Sequence, residues 1–325
     1  MRKPYECFGK MRKYAFWELP PILYLCSCLK KIHIPVYFYP LAAMLFWGLS
    51  FIWSSLLLKS YQPVTIIFIR LIISSTFLFA LIYLLGKHEK VERKDYKLIL
   101  LSALFNPFLY FLGENYGLKF SSPTFAAVII ATIPVFSPLI GYLSFREKLT
   151  PVNFIGIAVS FAGVIVMLIT RDLTLAADIK GIIYLFGAVF AALLYTVTLR
   201  KLTMKYSAIV LVANQNLIGI FLFLPLFLFF EAKSAIAVPI TREIVTSMVL
   251  LAILASSVSF VFFAHAVKLL GISKSNIFSN LIPVFTAIFS YFLLAESFTF
   301  QKIAGIALVI GGVYLSEQTK KRVSP

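Results

Sequence analysis

Long apolar runs restrict what this chain can fold into more than any other feature of its sequence. Most of them reach the roughly 20 residues that an α-helix needs to cross a bilayer. A soluble fold could not remove this much apolar surface from water, because 61% of the 325 residues are hydrophobic and only 13% are charged. The ten predicted spans cover 37–58, 63–85, 97–118, 122–145, 152–169, 180–199, 208–230, 244–267, 275–294 and 302–316. The chain is therefore predicted to be an all-α membrane protein with ten transmembrane helices.

The basic residues indicate how these spans are oriented. The formal net charge is +17, and a charge of this size can also indicate nucleic-acid binding. However, 22 Lys and Arg residues lie in the segments on one side of the membrane and only seven lie on the other side. Cytoplasmic segments of membrane proteins carry the excess of basic residues. Both termini are therefore expected in the cytoplasm, and no nucleic-acid partner is predicted.

The tetrapeptide IPVF occurs twice, at 133–136 and at 282–285, and it belongs to a longer internal repeat. At a constant offset of 149, residues 119–164 match residues 268–313 with 13 identities in 46 positions. Each repeat unit contains five predicted spans, so the second unit must enter the membrane from the opposite side. The fold class is therefore a 5+5 inverted-topology repeat, from which many secondary transporters are built.

This repeat divides the chain into four parts. A cytoplasmic N-terminal extension covers 1–36, and the first five-helix repeat covers 37–170. The second five-helix repeat covers 180–316, and a cytoplasmic C-terminal tail covers 317–325. Two halves of opposite orientation can exchange conformations, which favours alternating access to a central site.

Several paired residues of the repeat have a structural and a functional interpretation. Pro134 and Pro283 lie in the middle of spans, where proline removes a backbone hydrogen bond and kinks a helix. They are hinge candidates, and a static kink is the alternative. Glu147 and Glu296 each precede a predicted helix, where a carboxylate offsets the helix dipole. Small residues that favour close packing of membrane helices recur at the same spacing: Gly156, Gly163, Gly305 and Gly312.

Ionisable residues inside the predicted spans are the first candidates for a functional site, because they are costly in lipid. Glu114 follows Asn106 and Tyr110 at intervals of four, which predicts a polar stripe on one helix face. Arg70 is expected at a similar depth, so Glu114 either belongs to the substrate pathway or forms a structural salt bridge with Arg70. His265 is the third such residue, with hydrogen-bonded packing and proton transfer as its two interpretations.

The sequence resembles the EamA family of the drug/metabolite transporter superfamily. The similarity covers about 37–316 and includes the pair Trp47-Gly48, the arginine Arg70 in IIFIRLIIS, and the two passages around IPVF. Two features depart from the family pattern. These are the N-terminal extension and the segment ANQN, which stands where the second half would repeat Arg70.

The resemblance implies a secondary transporter, expected to export a small organic metabolite such as an amino acid across the cytoplasmic (inner) membrane. It also implies a central cavity lined by the first, third, fourth, sixth, eighth and ninth spans. The pathway candidates are Trp47, Asn106, Tyr110, Glu114, Tyr195, His265, Asn276 and Asn280. The expected partners are a small-molecule substrate and the lipid bilayer, with no cofactor. Proton coupling and a homodimer remain open.

Other functions are compatible with parts of the sequence. An exchanger of nucleotide-like or nucleotide-sugar cargo would need more basic residues inside the spans than Arg70 alone. An intramembrane enzyme would need a cluster of catalytic groups at membrane depth. The spans contain one His, no Cys and no Asp, so neither catalytic nor metal-ligating residues are predicted. A channel or a non-transporting sensor is a further alternative.

Overall fold

The computed structural model describes residues 35–87, 89–136, 140, 151–168, 177–297 and 299–317. These residues form the helices α1 (Phe38–Leu58), α2 (Pro63–Leu84), α3 (Arg93–Lys119), α4 (Pro123–Phe136), α5 (Pro151–Leu168), α6 (Ile179–Thr203), α7 (Ala208–Ile236), α8 (Arg242–Leu270), α9 (Phe278–Leu294) and α10 (Phe300–Glu317). Helices α1–α3 and α6–α8 are long and apolar enough to cross a membrane, whereas the other four have shorter apolar stretches. The predicted all-helical membrane fold is thus confirmed for the described residues, while ten spans stay a prediction.

Helix α3 is interrupted near its middle by a change in backbone direction. Asn106 has the extended torsion angles φ −146° and ψ 120°, and the peptide bond to Pro107 is cis. A proline supplies no N–H to the helical ladder and crowds the preceding turn. Ala103 and Tyr110 lie on either side of this irregular, π-helical stretch. The break turns Asn106 away from the regular helical register.

Helices α4 and α9 are irregular at matching positions of the repeat. A turn at Ala131 and Thr132 separates Pro134 from the preceding part of α4. In α9, a 3₁₀ turn at Phe278–Asn280 precedes Pro283. Each break falls about one turn before the proline, where the ring would crowd the carbonyl four residues back.

Helices α5 and α10 pack with their backbones in close contact. A methyl group at Gly163 would lie 2.8 Å from the Gly305 carbonyl oxygen, and one at Gly312 would lie 2.6 Å from the Gly156 carbonyl oxygen. The Ser160 hydroxyl donates a hydrogen bond to the Val309 carbonyl at 3.0 Å. The prediction that the paired glycines serve helix packing is confirmed.

Near the C-terminal end of each of the helices α2 and α7, a carboxylate accepts hydrogen bonds from the N-terminus of the other helix. Glu231, in α7, accepts hydrogen bonds from the backbone N–H groups of Val64 and Thr65 at 3.3 and 2.6 Å, and from the Thr65 hydroxyl at 2.8 Å. Glu89, just after α2, accepts from the N–H and hydroxyl of Ser207 at 2.9 and 2.8 Å. Each carboxylate therefore satisfies free donors at the N-terminus of the partner helix.

Glu296 has a wider role than the predicted cap of the following helix. Its carboxylate accepts from Lys302 in the first turn of α10 at 2.7 Å and from Thr124 in the first turn of α4 at 2.9 Å. Burial acts to raise the pKa of Glu296, but the hydrogen bonds, that from Lys302 foremost, hold it below its ordinary value. Glu296 therefore joins α10 to α4. Glu147 and the end of the predicted fourth span lie outside the described residues.

Candidate functional site

A central cavity lies where helices from both halves of the chain meet. It has about 430 Å³ of space not filled by atoms, including its open side. Helices α1, α3, α4, α6 and α8 and the segment before and within α9 supply its wall. The lining residues are Trp47, Asn106, Tyr110, Ile130, Ile133, Ala192, Tyr195, Thr196, Phe260, Phe263, Asn276, Ser279 and Ile282.

Five of the eight pathway candidates line this cavity: Trp47, Asn106, Tyr110, Tyr195 and Asn276. The other three lie outside its lining. Glu114 stands one helical turn beyond Tyr110, His265 packs edge-on against Tyr39 at 4.7 Å between ring centroids, and Asn280 is buried in the turn at the start of α9. The structure thus brings together residues that are far apart in the sequence.

The predicted stripe of Asn106, Tyr110 and Glu114 holds only in part. The Tyr110 hydroxyl donates to Glu114 Oε1 at 2.9 Å, as the spacing of four residues requires. Asn106 lies at the break in α3 rather than on this regular stripe. Asn106 and Tyr110 nevertheless both face the central cavity, because the break redirects the chain between them.

Arg70 and Glu114 are close, but the contact between them is long. Arg70 Nη2 lies 3.9 Å from Glu114 Oε2, and both side chains are at least 90% buried. The Arg70 guanidinium also lies over the Phe111 ring, 3.5 Å from its centroid, which is a cation–π contact. Two of its nitrogens, Nε and Nη1, have no hydrogen-bond partner among the residues that the structure describes. Glu114 is therefore bound more tightly by Tyr110 than by Arg70.

Trp47, on α1, is held in place by contacts with α8. Its indole N–H donates to the Ala255 carbonyl of α8 at 3.2 Å. Its ring packs against Phe260 and Phe263, with centroids 4.9 and 5.1 Å apart. The next residue, Gly48, lets α9 approach, because a methyl group there would lie 2.6 Å from Phe285 Cβ. The Trp-Gly pair thus combines a cavity wall with a close helix contact.

Buried polar groups that the sequence did not single out connect α7 to the neighbouring helices α6, α3 and α2. The Tyr195 hydroxyl donates to Gln215 Oε1 at 3.3 Å, and Gln215 Nε2 donates to Ser102 at 2.8 Å. Asn216 donates to Ser74 at 2.7 Å. Gln215 and Asn216 belong to the segment ANQN, which the sequence marked only by the missing counterpart of Arg70. Their buried position depends on tertiary contacts that spacing alone does not reveal.

Glu231 is the other residue that sequence reasoning missed. The predicted span ended at residue 230, whereas α7 continues to Ile236 and buries Glu231 with 6% exposure. Its position directly after an apolar run was the available signal. The donors at the start of α2 explain why a carboxylate is tolerated there.

Membrane-length apolar helices around a cavity with aromatic and neutral polar walls define a class of multi-pass membrane transport proteins. The sequence matches the EamA-like transporter family over residues 34–169 and again over 179–317. The chain belongs to the EamA-like transporter family, within the drug/metabolite transporter superfamily. It is thus a membrane transporter that works in a lipid bilayer on a small-molecule substrate.

Similar proteins agree with this assignment. An Archaeoglobus fulgidus protein described as an uncharacterized transporter is 28% identical over 270 residues, covering 83% of this chain and 94% of the relative. The uncharacterized transporter YetK of Bacillus subtilis is 26% identical over 310 residues, covering 94% and 93%. A solved structure described as the crystal structure of a protein has a TM-score of 0.66 and 18% identity, over 89% of this chain and 99% of the other. That last likeness concerns the fold alone.

Proposed function

We propose that this protein is a secondary transporter that exports a small organic metabolite, such as an amino acid or a related compound, across the cytoplasmic membrane. The observation that carries the proposal is the central cavity, whose polar groups come from both halves of the chain. Tyr110 and Asn106 come from the first half, and Tyr195 and Asn276 come from the second. A site between two halves suits alternating access, because each half can close one side of it.

Contacts between equivalent positions support an inverted repeat. Ser160 and Val309 are separated by the repeat offset of 149, and they are hydrogen-bonded to each other. The glycine contacts of α5 and α10 are reciprocal, as are the carboxylate contacts of Glu231 and Glu89 between α2 and α7. Such reciprocity is expected where two related halves meet across a pseudo-two-fold axis.

The proposed orientation places both termini in the cytoplasm. Cysteines replacing Ser60 and Ile179 should react with a membrane-impermeant thiol reagent added outside intact cells, whereas cysteines replacing Lys90 and Met204 should not. All four positions are exposed, at helix ends or in the loop between α2 and α3, and the basic-residue excess assigns them to opposite sides.

The labelling is measured in a variant whose three native cysteines are replaced by serine, with permeabilised cells as the control for reactivity. External labelling at position 90 or 204 would overturn the orientation. Labelling of all four positions from one side would overturn the inverted repeat.

The prolines after the breaks in α4 and α9 are proposed as hinges. Pro134→Ala and Pro283→Ala should each reach the membrane in normal amounts and slow transport several-fold, because a regular helix resists the bending that a break permits. Initial rates in inside-out vesicles measure the effect. The matched control is Pro225→Ala, which alters an exposed proline inside α7. If Pro134→Ala and Pro283→Ala both transport at the unaltered rate, or if Pro225→Ala slows transport equally, the hinge hypothesis is wrong.

Export is tested by comparing metabolites in the growth medium of overexpressing and deleted strains. A metabolite enriched by overexpression should accumulate in inside-out vesicles, and Trp47→Ala or Asn106→Ala should reduce its transport at least tenfold. Phe229→Ala, a change on the exposed surface of α7, is the control. Unchanged transport in both cavity variants would contradict the assignment of the cavity.

Proton coupling and a homodimer are further parts of the proposal. Dissipating an imposed proton gradient should abolish accumulation in the vesicles if Glu114 carries a proton. The mass of the purified protein in detergent, measured by light scattering, tests the assembly. Accumulation that is insensitive to the gradient, or a monomeric mass, would refute the respective part.

A further inference from the structure

The hydrogen-bond donors of the tyrosines in the central cavity point away from it. The Tyr110 hydroxyl donates to Glu114 at 2.9 Å, and the Tyr195 hydroxyl donates to Gln215 Oε1 at 3.3 Å. The Gln215 amide is oriented by its own donation to Ser102 at 2.8 Å. A hydroxyl has one proton and two lone pairs. Both tyrosine oxygens therefore retain lone pairs that can accept hydrogen bonds, and both residues line the cavity.

Two further lining residues donate their hydrogen bonds to protein groups in the same way. The Thr196 hydroxyl donates to the Ala192 carbonyl at 2.7 Å, and the Trp47 indole N–H donates to the Ala255 carbonyl at 3.2 Å. Amides and hydroxyls that can both donate and accept come from Asn106, Asn276 and Ser279. Within the described lining, the wall is thus biased towards hydrogen-bond acceptors.

The charge around the cavity favours a cation over an anion. No Lys, Arg or His belongs to the described lining residues, and aromatic rings of Trp47, Phe260 and Phe263 form part of the wall. Ring faces attract cations. The Glu114 carboxylate stands directly behind the Tyr110 hydroxyl, whereas its counter-charge, Arg70, lies on the far oxygen and over Phe111. Of the two charged groups, Glu114 is thus the one that is hydrogen-bonded to a lining residue, Tyr110.

We infer that the central cavity binds a protonated amine, and that the exported metabolite carries an ammonium group held by the oxygens of Tyr110 and Tyr195. This inference rests on the proposed function and names its substrate class. An ammonium has three donors and no acceptor, which complements the acceptors of the wall. Among the described lining residues a carboxylate would find only the neutral donors of Asn106, Asn276 and Ser279, and no donor of opposite charge.

The test measures binding to the purified full-length protein by thermal stabilisation, with three probes of the same size. These are 2-phenylethylamine, 2-phenylethanol and phenylacetate, which present an ammonium, a hydroxyl and a carboxylate. The amine should bind at least roughly tenfold more tightly than the alcohol, because hydrogen bonds to charged groups are the stronger ones. Phenylacetate should not bind measurably.

Tyrosine variants test whether the preference for the amine depends on the two tyrosine hydroxyl oxygens. Tyr195→Phe and Tyr110→Phe should each weaken amine binding several-fold and leave alcohol binding within a factor of about two. Tyr314→Phe, at an exposed position of α10, is the matched control and should change neither. If Tyr110→Phe is poorly folded, Tyr195→Phe decides alone.

The inference is overturned if the alcohol or phenylacetate binds as tightly as the amine. Binding of none of the probes, or an amine affinity unchanged in Tyr195→Phe, would also overturn it. The proposed function fails differently. If the class is wrong but the function is right, Trp47→Ala and Asn106→Ala still reduce export of the natural metabolite. If those variants export normally, the transport site itself is misassigned.

Discussion

Glu114→Gln is expected to reach the membrane in normal amounts and to lose most of its transport activity. The loss should be roughly 10- to 100-fold, because a hydrogen bond to a charged group is worth about 1.5–3 kcal/mol. The substitution keeps the size of the side chain but removes the charge that holds the Tyr110 hydroxyl. Initial rates of substrate uptake into inside-out vesicles, normalised to protein amount, measure the effect.

The opposing account makes Glu114 a structural partner of Arg70. Breaking a buried ion pair typically costs about 3–5 kcal/mol, because the remaining charge is left unpaired. Here the ion pair is long, at 3.9 Å, and the Arg70 guanidinium also has the Phe111 ring. Arg70 therefore depends less on Glu114 than a hydrogen-bonded partner would.

The double variant Glu114→Gln/Arg70→Gln separates the two accounts. If Glu114 serves the pathway, restoring neutrality with the second change leaves transport as low as in Glu114→Gln alone. If Glu114 is a structural partner, the single change lowers the amount of protein, and the double change restores both amount and transport. Recovery in the double variant would contradict the pathway assignment.

Glu231→Ala is expected to destabilise the protein more than any other single carboxylate change at the ends of α2 and α7. The change removes the acceptor for two backbone N–H groups and a hydroxyl at the start of α2. Leaving a buried donor unsatisfied costs about 1–3 kcal/mol, so the total loss should be several kcal/mol. Thermal unfolding of the detergent-purified protein measures it.

Glu89→Ala provides the matched comparison for Glu231→Ala. Glu89 also accepts two hydrogen bonds at a helix N-terminus, but it is exposed, so water can replace it. Loss of an exposed cap should cost about 1 kcal/mol. Glu231→Gln should be intermediate, because its amide oxygen can still accept. Equal destabilisation by Glu231→Ala and Glu89→Ala would show that the burial of Glu231 does not increase its contribution to stability.

Part of the candidate site could be anticipated from the sequence. The spacing of Tyr110 and Glu114 predicted that they share one helix face, and the two side chains are hydrogen-bonded to each other. The repeat predicted glycine packing, and α5 and α10 pack through those glycines. Asn106 was placed on the same stripe, which is wrong, because the break before Pro107 removes it from the helical register.

The sequence by itself determined the lipid environment and the helical secondary structure of this protein. Apolar runs of membrane length can satisfy their backbone groups in lipid only as helices, so these features follow from local composition and spacing. Tertiary structure decided which polar groups of different helices meet. Trp47 with Ala255 and Glu231 with Thr65 are contacts between helices far apart in the chain, and Tyr195 with Gln215 joins two consecutive helices. They depend on how the helices pack, because within a span nearly every helix face is apolar and its sequence does not mark which face turns inward.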